Sequence, residues 1–191
     1  MDLSQAGLSA GVPDELFITD GLLTKRVLRA WALAMLAPRA GDVLWDLGAG
    51  TGSIAIEWCR LHPTNRAFAV ERHPERAARI ELNSTNFGMA DRVEVMIGDL
   101  DEHLPQLPRP EAVFVGGGLS QQILHQAWEI LPSGGRLAAH SVTADSDSVL
   151  LEAYRCWGGD LSRIAVENAE PIGRFVGFKP LRSVTTWGAV K

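Results

Sequence analysis

The chain is poor in residues that mark several common chemistries. It has two cysteines, Cys59 and Cys156, and one tyrosine in 191 residues. Neither cysteine belongs to a CxxC pair or a Cys/His ligand spacing, which argues against a disulfide framework and a zinc site, so no metal is expected. Both cysteines fall in segments with helical patterning and are expected to be buried thiols of a reducing compartment. An excess of positive charge is also missing. Against 18 Lys and Arg stand 23 Asp and Glu, a formal net charge of -5, so no protein held on nucleic acid by bulk charge is expected. No apolar run approaches the ~20 residues of a membrane span, and no basic-then-apolar leader opens the sequence, so the expected location is cytoplasmic, away from membranes. No low-complexity tract or composition break divides the chain. Residues 1–191 therefore read as one domain with a full core.

What is present is an alternation of helix and strand patterns. Residues 1–21 are rich in Gly, Ser, Asp and Pro and read as an irregular arm. From Thr24 a helical stretch sets Val27, Leu28, Trp31, Leu33, Met35 and Leu36 near one face, and Pro38 stops it. Asp42 to Leu47 is a short apolar run into a glycine-rich turn, the mark of a buried parallel strand. The unit then recurs. Helices are expected at 53–61, 74–87, 120–131 and 146–157, and strands at 67–70, 93–97, 112–115 and 136–140. Such spacing predicts βαβ units and a mainly parallel sheet covered on both faces. Leu161 to Val166 and Thr185 to Val190 are strand-like with no helix between them, so an antiparallel hairpin is expected at one edge.

The most informative segment is Asp46-Leu47-Gly48-Ala49-Gly50-Thr51-Gly52. A strand ends in an acid, and three glycines alternate through the turn before a helix. Glycine there lets the backbone approach a ligand and adopt positive φ, at the strand ends where open α/β sheets bind ligands. A dinucleotide fold calls for GxGxxG with a pyrophosphate at the helix N-terminus, and a Walker loop for GK[ST]. Here the spacing is GxGxG, and Asp46 would repel a pyrophosphate while suiting the ammonium and sulfonium end of S-adenosylmethionine (SAM). Glu71 closes the second strand, where a carboxylate can accept both ribose hydroxyl hydrogens. Asp99 follows the third strand, within reach of an adenine amine. Acids closing three successive strands resemble class I SAM-dependent methyltransferases over about residues 40–140. The resemblance implies a Rossmann-like α/β fold, a mainly parallel seven-stranded sheet, with SAM as cofactor and S-adenosylhomocysteine (SAH) as product.

The fourth strand ends in Phe114-Val115-Gly116-Gly117-Gly118. It carries neither the Asn/Asp-Pro-Pro-Tyr of amino-directed methyltransferases nor the Pro-Cys of cytosine-directed ones. Three glycines instead offer bare backbone N–H groups and room for a large flat substrate, or else a close packing turn. The opening Gly11-Val12-Pro13-Asp14-Glu15-Leu16-Phe17 with Thr24-Lys25-Arg26, the loop at Gly116 to Gly118, and the tail from Gly173-Arg174-Phe175 to Trp187 resemble the decarboxylating precorrin methyltransferases of cobalamin synthesis. The resemblance implies methylation at C15 of the corrin precursor with loss of the ring-C acetate carboxylate at C12. In that family this unit is often fused to a second methyltransferase that acts at C5.

Cofactor contacts implied by the resemblance are Thr24, Gly48, Ala49, Gly50, Thr51, Gly52, Glu71, Asp99 and Leu100, to which the charge at the end of the first strand adds Asp46. A substrate with many carboxylates calls for cations, so Lys25, Arg26, Arg174, Lys179 and Arg182 are substrate candidates together with Gly116 and Gly118. Catalytic candidates are Asp14 and Glu15 from the opening signature, Gly117, and His140 at the end of the fifth strand. The family also implies a homo-oligomer, with a tetramer among the options, and Trp31 and Trp187 are candidates for its interface. Two other readings compete with this one. A tRNA adenine methyltransferase shares the core but sits badly with the net charge, and a non-catalytic SAM-binding subunit would bind the cofactor without turnover.

Overall fold

The structure, a computed structural model, describes residues 7–191. Its elements in order are α1 (Arg26–Leu36), β1 (Val43–Leu47), α2 (Ser53–Leu61), β2 (Arg66–Glu71), α3 (Pro74–Asn86), β3 (Val93–Ile97), α4 (Leu100–His103), β4 (Ala112–Val115), α5 (Gln121–Ile130), β5 (Arg136–Ser141), α6 (Ala144–Trp157), β6 (Asp160–Ile164), β7 (Glu167–Ile172), β8 (Phe175–Pro180) and β9 (Val184–Val190). Seven strands form one sheet in the order β3-β2-β1-β4-β5-β9-β6. The first five are parallel, and β9 lies antiparallel to both β5 and β6. The expected sheet and its antiparallel edge are therefore present.

The alternation of strand side chains explains the layering. Leu44 and Phe114 pack with α1, α2 and α3 on one face, while Trp45, Leu47, Val113 and Val115 pack with α5 and α6 on the other. Each central strand is apolar on both sides because each side is roofed by helices. Asp46 shares the face of Leu44, so the same alternation sends an acid beneath the start of α2, where the Ala55 N–H donates to its Oδ2 at 3.1 Å. Between β1 and β4 the strand order turns from leftward to rightward, which opens a crevice at their carboxyl ends.

Several expectations need correction. On α1 the buried face is Leu28, Arg29, Ala32, Leu33 and Leu36, while Val27 and Trp31 are each 45% exposed. The charged Arg29 takes the inner position because the arm wraps round it, which no apolar periodicity anticipates. Trp187 is fully buried against Trp128 and Trp157. Cys156 is exposed, unlike Cys59. The stretch between β6 and β9 is not a bare connection but a two-stranded hairpin, β7 with β8, which pairs with neither neighbour. Among the described residues no helix is long and apolar enough to cross a membrane.

Candidate active site

A cavity of about 1080 Å³ opens at the crevice, bounded by the β1 and β4 loops, the ends of β2 and β3, and the arm segment before α1. That size is at the upper end for small-molecule sites. Thr24, Lys25, Asp46, Gly48, Ala49, Gly50, Thr51, Glu71, Asp99, Leu100, Gly116, Gly117, Gly118, His140 and Arg182 all line it. One cavity thus gathers the three strand-end acids, both glycine loops and two of the candidate cations.

The acids differ in state. Asp46 is 1% exposed, and burial, reinforced by the negative charge of Glu71, pushes its carboxyl up to about 7 against the help of the Ala55 N–H. A carboxylate so placed gains most from a cationic ligand. Glu71 is also buried, but both its oxygens are tied to backbone donors: Oε2 accepts from Gly50 N–H at 2.9 Å and Oε1 from His73 N–H at 3.0 Å. Each oxygen keeps a lone pair for a hydroxyl, and the Gly50 bond joins the β1 loop to the end of β2. Asp99 stands exposed at the start of α4, with no side-chain capping bond. These residues suit SAM: a buried acid for its cationic end, a paired carboxylate for its ribose, and a free one at the adenine side.

The glycines divide by role. Gly48, Gly50 and Gly52 all have positive φ. Gly52 is the N-cap of α2, packed against Ile80 rather than lining the cavity. A Cβ on Gly48 would lie 2.6 Å from the backbone of Gly117. The β1 and β4 loops are pressed together at this point, and the N–H groups of both Gly116 and Gly117 donate to Leu47 O. The expected bare N–H groups of these two glycines are therefore already spent, and their absent side chains chiefly permit the loop contact. Gly118 keeps its positive φ and faces Leu100.

This contrast makes a test. Gly48→Ala should lose stability and at least tenfold in SAH affinity, because strain of about 1–2 kcal/mol for left-handed backbone adds to a collision with backbone that cannot yield. Gly50→Ala has similar φ but open space around the added methyl, so it should show only the first effect. Thermal denaturation and calorimetric titration of both variants read the difference, and equal losses would refute the loop-contact argument.

Besides Gly52, five candidates lie outside the cavity lining. Asp14 is spent on Arg29, Oδ1 to Nη1 at 2.6 Å, and also faces Lys25 at 3.9 Å. Its position locks the arm instead of meeting a substrate. Glu15 is exposed in the short turn of 14–16. Arg26 begins α1 and lies beside Gly11. Arg174 stacks over Phe175 at the hairpin tip, and Lys179 pairs with Glu170 across the hairpin. Arg72 lines the cavity unanticipated; directly following Glu71, it could have been inferred from continuation past the strand end. The apolar wall of Val142, Ile164, Val166, Leu181 and Val184 could not, because it is assembled from β6, β9 and the segments that follow β5, β6 and β8.

A family model described as "Precorrin methyltransferase domain" matches residues 15–191. A curated relative from Sinorhizobium sp, "Precorrin-6Y C(5,15)-methyltransferase [decarboxylating]", is 48% identical over 185 residues, which are 96% of this chain and 45% of that protein. The chain thus spans about half the length of that relative. The crystal structure of the C-terminal domain of precorrin-6Y C5,15-methyltransferase from Rhodobacter capsulatus superposes with a TM-score of 0.92 at 38% identity, covering 97% of this chain and 100% of that one. Precorrin 8W decarboxylase from Methanobacterium thermoautotrophicum gives a TM-score of 0.82 at 27% identity, over 93% of this chain and 98% of that one.

Proposed function

The chain belongs to the precorrin methyltransferase family, and from that premise we propose that it binds SAM and methylates C15 of a precorrin while removing the C12 acetate carboxylate. The observation that carries this reading is the pair of buried acids, Asp46 and Glu71, at one end of a cavity whose other end is apolar and large. Asp46 holds the cationic end of the cofactor, Glu71 the ribose, and Asp99 with Leu100 the adenine side. SAM supplies the methyl group as an electrophile. The chain's own part is to hold the macrocycle flat against the Gly116–Gly118 loop with the reacting carbon facing the cofactor, and to exclude water behind the apolar wall.

Lys25 and Arg182 at the rim, joined by Arg72, receive the peripheral carboxylates. Arg174 and Lys179 project on the β7–β8 hairpin, whose Ile172, Phe175, Val176 and Phe178 are 60–74% exposed. An apolar surface of that kind fits self-association of a cytoplasmic single-domain unit into a homo-oligomer. Asp99, Asp101 and Glu102 give the mouth an acidic side, which disfavours a nucleic acid substrate.

Mass spectrometry of the purified chain incubated with SAM and a reduced precorrin tests the reading. The expected product has gained one methyl and lost one carbon dioxide, with no second methylation, since C5 chemistry belongs to the other half of the fused relatives. Binding of SAH with no change in tetrapyrrole mass would refute it.

A further inference from the structure

Two imidazoles line the cavity among the described residues, His73 and His140. That of His73 is occupied: its Nε2 accepts from Arg72 Nε at 3.1 Å. That of His140 is not. Its residue is 9% exposed, and its Nε2 is buried with no hydrogen-bond partner. The ring stands edge-on to Phe114, with centroids 5.0 Å apart, so both side chains belong to the apolar end of the cavity. Neighbouring polar groups are engaged elsewhere. Thr186, opposite it on β9, donates to Met35 Sδ, and Ser141 Oγ donates to Thr143 O. A buried polar atom without a partner is unfavourable unless something else meets it.

On the reading given above, we propose that His140 is the acid–base residue of the decarboxylation, moving the proton that C15 loses on methylation to the methylene carbon left when carbon dioxide departs. The step balances within the substrate. C15 forms a bond to the incoming methyl group and surrenders its hydrogen as a proton to the imidazole. The bond between the acetate methylene and its carboxylate then breaks, carbon dioxide leaves, and the electron pair enters the conjugated ring. That pair returns to form a C–H bond at the methylene carbon with the proton carried by the imidazole, which ends neutral. No oxidant, reductant or net proton is needed.

Burial keeps the resting ring neutral, its pKa pushed down to about 4. It therefore accepts a proton only when a strong carbon acid and an anionic carboxylate are both present, and gives the proton up once the carboxylate has gone.

Two variants test this, His140→Phe and His140→Gln, the second keeping polarity and approximate volume without a proton-carrying ring. Each is incubated with SAM and a reduced precorrin, and mass spectrometry reads methyl gain and carbon dioxide loss separately; SAH binding is measured by calorimetry. Decarboxylation should slow about a hundredfold or more, methylated but undecarboxylated product should accumulate, and SAH affinity should stay at the wild-type value. Wild-type decarboxylation in either variant overturns the proposal. So does equal loss of both steps with SAH binding intact. If Phe disturbs SAH binding, the Gln variant decides. A wild-type protein that never methylates the tetrapyrrole refutes the proposed function instead.

Discussion

SAH affinity should weaken about fivefold between pH 7 and pH 6 in wild-type protein, and Asp46→Asn should abolish that dependence. The free carboxyl titrates near pH 7, raised first by burial and then by Glu71. The ammonium group of the ligand favours the ionised form, so the bound carboxyl titrates lower. Above pH 7 the carboxylate is already charged and affinity is flat. Below it, each pH unit adds about 1.36 kcal/mol to the work of deprotonating Asp46 before the ligand is held, and a proton is released on binding. The Asn variant stays neutral throughout, and loss of a charged contact of about 1.5–3 kcal/mol lowers its affinity roughly ten- to a hundredfold at neutral pH.

The same shift has the opposite consequence for the ligand-free fold. Folded Asp46 titrates near 7 and unfolded Asp near 3.8, so between those values the folded state binds the extra proton and stability falls as pH rises. Asp46→Asn removes that loss and should stabilise the free protein near pH 8 by up to about 4 kcal/mol. His140 contributes the opposite slope. Its folded pKa near 4 lies below the ordinary 6.5, so stability declines as pH falls through that window. A variant that melts higher yet binds SAH worse cannot be explained by misfolding. Calorimetry across pH 5.5 to 8, with denaturation curves in parallel, reads both effects; a flat wild-type affinity would refute the electrostatic role of Asp46.

Asp46, Glu71 and Asp99 were legible because each closes a strand, and strand ends in a parallel sheet converge on one edge. Their environments were not. That Asp46 would be buried and Asp99 exposed depends on α2 sitting over one and only the short α4 beside the other. The glycines of the β4 loop were legible as a feature but open in meaning, since only the register of β1 beside β4 brings Gly48 against Gly117. The β7–β8 hairpin escaped notice because both its faces are largely exposed, and Pro171 and Gly177 interrupt its patterning. Glu57 and Arg29 were invisible for a different reason. A charge inside an apolar helical stripe reads as an interruption until its partners, distant in sequence, are known.

Those two residues carry the last large effect. Arg29 is fully buried and donates to Glu57 Oε1 at 2.6 Å, Asp14 Oδ1 at 2.6 Å, Thr24 O at 2.5 Å and the carbonyl of Val12. Glu57 in turn accepts from Gly11 N–H at 2.5 Å and Val12 N–H at 3.1 Å. One guanidinium thus fastens the arm at both ends, and Thr24 and Lys25 beyond it form a wall of the cavity. Arg29→Met leaves Glu57 charged and buried without its partner, so about 3–5 kcal/mol of stability should be lost. The arm segment should also loosen, seen as faster tryptic cleavage after Lys25 and Arg26, and SAH affinity should fall with it. Arg136 is the matched control, equally buried and holding Asp42 and the carbonyls of Leu36 and Ala37. It ties α1 to β5 at the end of the sheet away from the cavity, so Arg136→Met should lose comparable stability with SAH affinity kept in the surviving fold. If both variants bind SAH alike at a temperature where each is folded, the arm has no part in holding the cofactor.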